Sequence, residues 1–252
     1  MIKINLEYWK YKKNHGNFGD ELSVFIINCL INKEKYHLVY NQKNIGINLV
    51  AIGSYIGKHL RKGTYIFGSG IRTLPIKKFR NLKVFSVRGP LTQQELEKKN
   101  PHLNIPKIYG DPGLLLSIYY KPITLKELQN KIGIVPHFSN YSKYKNMKIN
   151  DKFYLIDPTN EWKNVINEIY SCSSIVSSSL HGLICSDAYG KPNLWIDEFK
   201  LDEGHFKFYD YFKSQDREII KITNLKEIDE KLFYKGGNKI NLDKLIESFP
   251  LK

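Results

Sequence analysis

Along almost its whole length the chain alternates short apolar runs with glycine-containing turns, and these with apolar residues at helical spacing. That alternation belongs to parallel α/β layers and excludes both an all-helical bundle and an antiparallel sandwich. Ile2 to Trp9 reads as a first strand and residues 14 to 19 as a turn. Asp20 then reads as the N-cap of a helix whose apolar residues Leu22, Phe25, Ile26, Cys29 and Leu30 follow a helical spacing. Further strands are read at 48–54, 64–67 and 83–87, a helix starts at Pro90 and runs to about Lys99, and another strand ends at Gly110-Asp111. The polar stretch Lys121 to Asn130 reads as a crossing. Beyond it the pattern resumes, with strands at 131–136, 153–157, 174–179 and 193–197, helices at 159–170 and 181–189, and a polar helical region after Lys200 that ends in a helix at 241–249. The fold expected is α/β, with two Rossmann-like domains, 1–122 and 123–252, facing each other across a cleft, and the last helix packing back on the first domain. In open parallel sheets ligands bind beyond the carboxyl ends of the strands, so the site is expected between the halves. The sequence contains no internal repeat.

Composition excludes several classes. Hydrophobic residues at 42% and aromatics at 13% are far above what a chain without a core carries. The longest nearly apolar run, Leu22 to Ile31, is half of the roughly 20 residues a membrane span needs. The N-terminus has no apolar signal core, so a cytoplasmic location is expected. Three cysteines, Cys29, Cys172 and Cys185, match no zinc spacing and read as reduced core residues. Asp111 and Asp187 are too isolated to suggest a metal site. Basic residues number 39 against 25 acidic, a formal charge of +14. Their scatter reads as solvated lysines and not as a nucleic-acid surface, since no basic block with interleaved aromatics is present.

Five strand-to-helix turns carry residues suited to a ligand. Asn17-Phe-Gly-Asp20 combines glycines that admit a close approach with unpaired helix N–H groups; the acid at the helix start favours a sugar hydroxyl over a phosphate. Gly68-Ser69-Gly70 with Arg72 is a tight turn beside a cation, suited to a carboxylate or phosphate and equally to plain turn chemistry. Arg88, before Gly89-Pro90, is one of only five arginines in a lysine-rich chain. Its planar fork suits a carboxylate or phosphate; the alternative is an ion pair with an acid of the protein. Gly110-Asp111-Pro112 is either a carboxylate at a strand end or a turn. Ser177-Ser178-Ser179-Leu-His181-Gly182 places three hydroxyls and a histidine around a helix N-terminus, and reads as the functional centre.

In their order along residues 14 to 197, the motifs Asn17-Phe-Gly-Asp20, Gly68-Ser-Gly70, Val87-Arg-Gly-Pro90 with Thr92, Gly110-Asp-Pro112 and Ser178-Ser-Leu-His181-Gly resemble the polysaccharide pyruvyl transferases. The resemblance implies transfer of a carboxyethylidene group from phosphoenolpyruvate, as co-substrate and without a resident cofactor, to two hydroxyls of a sugar. It also implies a fold similar to the two-domain glycosyltransferase-B architecture. Many members carry an arginine where this chain has Ser179, so Arg72 or Arg88 is expected to supply that charge. On this reading Arg88, Arg72, Ser177, Ser178, Ser179, Gly182, Gly68, Ser69 and Gly70 hold the donor. His181 is the general acid or phosphate ligand, Asp20 or Asp111 the base, and Asn17, Gly19 and His137 meet the acceptor. The acceptor's linkage to lipid, nucleotide or polymer is left open, as is the oligomeric state; a lipid-linked acceptor would be met at the inner face of a membrane. The alternatives are a glycosyltransferase with a nucleotide-sugar donor and a non-catalytic sugar-phosphate binding protein.

Overall fold

The computed structural model describes residues 1–9, 16–42, 45–57, 60–79, 81–199 and 204–252. The first half contributes β1 (Ile2–Glu7), α1 (Phe18–Leu30), β2 (Tyr36–Tyr40), β3 (Ile47–Val50), β4 (Tyr65–Phe67), β5 (Lys83–Ser86), α2 (Pro90–Lys99) and the short α3 (Leu116–Tyr119). The second contributes β6 (Ile132–Val135), α4 (Tyr141–Lys145), β7 (Phe153–Leu155), α5 (Trp162–Ser171), β8 (Ser174–Ser177), α6 (Leu180–Ala188), β9 (Asn193–Ile196), α7 (Phe206–Ser214), β10 (Lys221–Ile222) and α8 (Leu242–Glu247). The strands form two five-stranded sheets in the orders β2-β1-β3-β4-β5 and β10-β9-β8-β6-β7. Every pairing within them is parallel. Counted from its own first strand, each sheet has the order 2-1-3-4-5, so two halves without sequence repetition share one Rossmann-like topology. Apolar strands such as Ile132–Val135 and Asn193–Ile196 are buried because helices cover the faces of parallel sheets.

Strand β2 is an element the apolar pattern did not mark. Its sequence YHLVY is only partly buried at the sheet edge, so polar residues interrupt the signal. The strand expected to end at Asp111 is reduced to one parallel bridge, Val87 to Tyr109. The polar region after Lys200 supplies α7, which turns out to be central, and the two-residue strand β10. Cys172 and Cys185 are buried, but Cys29 is exposed on α1, against the expectation of a core residue. No helix among the described residues is long and apolar enough to cross a membrane.

The halves share one core. Phe18, Leu22 and Ile26 of α1 lie in the same apolar cluster as Val165, Ile166 and Ile169 of α5, and Phe25 packs on Trp162 at 4.6 Å between ring centroids. The crossing segment is tied to α5, with Ile123 N–H donating to Asn167 Oδ1 and Leu125 N–H to Ser171 Oγ. The C-terminal segment returns to the first sheet, where Phe249 meets Phe67 at 5.0 Å and the Asn32 N–H donates to the Leu251 carbonyl.

A polar latch joins the halves on the other side. Helix α2 begins with Gly89 and Pro90 and has no side chain of its own to cap it. Asp210 of α7 does so instead: Oδ1 accepts from the Thr92 N–H at 2.8 Å and Oδ2 from the Thr92 hydroxyl at 2.7 Å. The same Oδ2 pairs with Arg88 Nε at 3.2 Å, and both side chains are fully buried. Arg88 also donates to Ser54 Oγ and the Ile71 carbonyl. Breaking such a pair leaves an uncompensated buried charge, which costs about 3–5 kcal/mol. Asp210→Ala is therefore expected to lower Tm by roughly 10 °C in a chain of this size, and Asp210→Asn, which still caps Thr92, by less. A differential scanning calorimetry trace for Asp210→Ala that overlays the wild type would show that the latch carries no stability.

Candidate active site

In a 2-1-3-4-5 sheet the chain reverses direction between its first and third strands, and the carboxyl ends there open onto a ligand site. In the first sheet the elements leaving that point are the start of α1 and the turn after β3, residues 51–54. In the second they are His137 after β6 and Ser178 to His181 after β8. The fold brings these two points together. The backbone of Gly19 approaches the His181 ring so closely that a Cβ there would collide with it. Gly53, at φ +95°, sits where a Cβ would stand 3.0 Å from Asp20 Oδ1 and 3.8 Å from His181 Nε2. Asp20 and His181 therefore face one point, each only 8% exposed.

Local chemistry at α1 differs from the sequence reading. Asn17, not Asp20, caps the helix, its Oδ1 accepting from the Gly19 N–H at 3.3 Å. The Asn17 amide also donates to Asp20 Oδ2 at 2.8 Å, which leaves Oδ1 pointing inward. Burial pushes the Asp20 carboxyl up to about 7, against the field of Lys207, the Asn17 hydrogen bond and Arg72, with Asp111 adding to the rise. The same burial pushes His181 down to about 3, helped by the charges of Lys207, Arg88 and His137, so the ring is neutral at physiological pH. Its Nε2 is buried and has no hydrogen-bond partner among the described residues. His181 in the free protein is thus not a proton-carrying imidazolium. The cause is desolvation first, and not the helix end alone.

Asp111 is fully buried, and its carboxyl is raised to about 6 by burial. Its Oδ1 accepts from the Gly113 N–H at 2.9 Å and its Oδ2 from the Gly53 N–H at 3.3 Å. These bonds tie the Gly53 turn, which lies against Asp20 and His181, to the Asp111 carboxylate.

Several donor residues expected from the sequence are spent on the protein itself. Arg88 is engaged by Asp210, Ser54 and the Ile71 carbonyl, and its charge acts on Asp111 and His181. Gly70 is small because Arg88 lies against it, Gly68 because Pro112 does, and the Ser69 hydroxyl donates to the Gly53 carbonyl. Ser177 Oγ bonds the Val135 and Ser179 carbonyls and accepts from the Ser179 N–H. Gly182 makes room for that hydroxyl and for Val135, so it seats α6 on β6. Ser178 Oγ accepts from the His137 N–H at 2.9 Å and fixes that loop.

Positive charge is brought to the site by the start of α6, where Ser179 is the N-cap residue without a side-chain capping bond among the described residues, by the exposed Arg72 and by the nearly buried Lys207. Lys207 is only 6% exposed in the first turn of α7, and its charge is the largest acting on both Asp20 and His181. Nothing in its sequence context distinguishes it from the other lysines. Among the described residues no group of His, Cys, Asp and Glu is placed to hold a metal.

These features define a two-sheet α/β protein with one buried acid–histidine site where the switch points of both sheets meet, bordered by cations. The chain belongs to the polysaccharide pyruvyl transferase family, whose profile matches residues 7–198. That span includes every motif of the site except α7 with Lys207 and Asp210. The chain is 29% identical over 212 residues to Uncharacterized protein L143 of Acanthamoeba polyphaga mimivirus, covering 81% of this chain and 72% of that protein. It is 30% identical over 189 residues to Succinoglycan biosynthesis protein ExoV of Rhizobium meliloti (strain 1021), covering 73% of this chain and 57% of ExoV.

The carboxyl of Asp20 binds its proton more tightly in the folded state than in the unfolded chain, so it favours folding at acid pH. That contribution is lost as pH rises from about 4 to about 7. Asp20→Asn, which still accepts from Asn17, should match the wild-type Tm at pH 4 and exceed it at pH 8. A Tm difference independent of pH over that range would show that the carboxyl is not raised.

Proposed function

We propose that the protein transfers the carboxyethylidene group of phosphoenolpyruvate to two hydroxyls of a sugar in a polysaccharide or its precursor. The observation that carries this reading is the convergence of a carboxyl raised to about 7 and a neutral, unpartnered histidine on one buried point beside Lys207. The donor's phosphate would lie on the first N–H groups of α6 and the Ser179 hydroxyl, with its carboxylate toward Lys207 and Arg72. Asp20, about half protonated at neutral pH, would deliver its proton to the methylene carbon, leaving a cationic carbon that carries the phosphate and carboxylate. A sugar hydroxyl adds to that carbon. Its proton passes to His181, whose affinity for a proton rises once the polyanion is bound beside it. His181 then gives that proton to the phosphate oxygen as phosphate departs with its C–O bonding electrons, which leaves the ring neutral again and regenerates a cation; the second hydroxyl closes the ketal, its proton returning to the Asp20 carboxylate. Burial is what lets one pocket hold a neutral acid and a neutral base at the same pH.

Thermal stabilisation of the full chain by phosphoenolpyruvate, and not by nucleotide sugars, is the expected outcome; the reverse pattern would support glycosyl transfer instead. His181→Ala should lower turnover roughly 10²–10⁴-fold while Tm moves by a few degrees, because Leu183 and Ile184 keep the helix packed. Lys207→Met should raise the KM for phosphoenolpyruvate more than that for the sugar. If His181→Ala retains most of the phosphate release, or loses it only by unfolding, the mechanism fails at its centre.

A further inference from the structure

The turn after β3 is fixed at nearly every polar group it carries. The Gly53 carbonyl accepts from the Ser69 hydroxyl at 2.9 Å and from the Gly70 N–H at 3.0 Å, while the Gly53 N–H donates to Asp111. Ser54 Oγ accepts from Arg88 at 2.6 Å, the Tyr55 N–H donates to Ser69 Oγ at 3.1 Å, and the Ile56 N–H donates to the Gly70 carbonyl at 3.0 Å. Gly53 lies against Asp20 and His181, and two positions on the turn presents Tyr55. The Tyr55 ring packs on the apolar cluster of Val50, Ile66 and Leu96, and the residue stays partly exposed. A tyrosine hydroxyl on a ring held in this way usually finds a partner in the protein. Tyr109 and Tyr120, also partly buried, donate to Gln93 and Asn167. The Tyr55 hydroxyl has no hydrogen-bond partner among the described residues.

The groups around that hydroxyl limit what it can hold. Burial pushes the phenol up to about 12, with Glu7 and Asp20 adding to the rise and Arg61 opposing it, so at physiological pH it keeps its proton and is a donor. Glu7 ends β1 and stands in register with Val50 at the end of β3. Glu7 and Tyr55 therefore flank the point where the first sheet reverses, the crevice in which such sheets bind ligands. Arg61, the cation nearest in effect, is already matched by Glu7, its Nη2 lying 2.8 Å from Oε1. A polyanion is better served on the other side of Asp20, where Lys207 and Arg72 act. An uncharged polyhydroxyl compound, in contrast, gains a rigidly placed donor at this edge. We propose that Tyr55 is an acceptor-binding residue, its hydroxyl donating to one hydroxyl oxygen of the acceptor sugar and so seating the sugar's diol against Asp20 and His181. This inference rests on the pyruvyl-transfer reading.

The test reads sugar binding without turnover. Saturation-transfer NMR titrations on the full chain, with inorganic phosphate filling the donor side, use methyl β-D-glucopyranoside, methyl β-D-galactopyranoside and methyl α-D-mannopyranoside as probes, and then the monodeoxy forms of the one that binds best. At least one probe should bind the wild type. Tyr55→Phe should weaken it about five- to tenfold, the worth of one hydrogen bond, and should keep the wild-type Tm because the hydroxyl has no protein partner to lose among the described residues. One monodeoxy form should bind the wild type as weakly as Tyr55→Phe binds the parent sugar, and should lose nothing further in Tyr55→Phe. Contact between the two hydroxyls predicts that non-additivity, and a merely structural role does not. Stabilisation by phosphoenolpyruvate should be unchanged in the variant. Equal sugar affinity in Tyr55→Phe, additive losses for every monodeoxy form, absence of sugar binding to the wild type, or loss of phosphoenolpyruvate stabilisation in the variant alone would each overturn the assignment. If phosphoenolpyruvate fails to stabilise the wild type, the pyruvyl-transfer reading falls, while the sugar arm still reports on Tyr55.

Discussion

The contact on which most of the arrangement depends is the buried pair between Arg88 of the first half and Asp210 of the second. It satisfies three needs with one carboxylate: the charge of a fully buried guanidinium, the orphan N–H of Thr92 near the start of α2, and the hydroxyl of the same residue. Because Asp210 lies one turn beyond Lys207, docking α7 in this way also sets the lysine beside Asp20 and His181. A well-packed apolar pair in its place would not put a positive charge and a capped helix in the same position. The guanidinium that reads in sequence as a ligand fork is also a strut between the halves, and its field reaches Asp111 and His181. Arg217 is used similarly, paired to buried Asp187 and held between the rings of Phe212 and Tyr234.

Burial has two opposite consequences in the site. Taking Asp20 out of water favours its protonated form, and taking His181 out of water favours its neutral form, so the same low-dielectric setting raises one and lowers the other. Both shifts oppose folding at some pH: the carboxyl above its ordinary range, the imidazole below its own. The glycines at 19 and 53 make this crowding feasible, since any side chain at either position would meet the histidine or the acid. Acid–base capacity is thus obtained by geometry that a stability-optimised core would avoid.

Much of the fold was legible because parallel sheets bury both faces of their strands and leave continuous apolar runs, as at Asn193–Ile196. The edge strand β2 and the two-residue β10 were not, since partial exposure and shortness dilute the pattern. Of the site, Asp20 and His181 were legible as polar residues at strand-to-helix turns. Gly53 was visible only as the end of an apolar run, and Lys207 carried no signal, because a lysine in an amphipathic helix looks the same whether it faces solvent or a site.

The order of strands and turns, the apolar faces of the helices and the polar residues at their starts follow from local chemistry, and the sequence by itself determined these. What only the tertiary structure decided is which polar groups face a ligand and which face the protein. Arg88, Ser69 and Ser177 turn inward because buried N–H and C=O groups and a buried carboxylate need partners there. Asp20, His181 and Lys207 meet because two sheets of the same order place their reversal points against each other. That meeting depends on contacts between residues more than 150 positions apart, which no local spacing encodes.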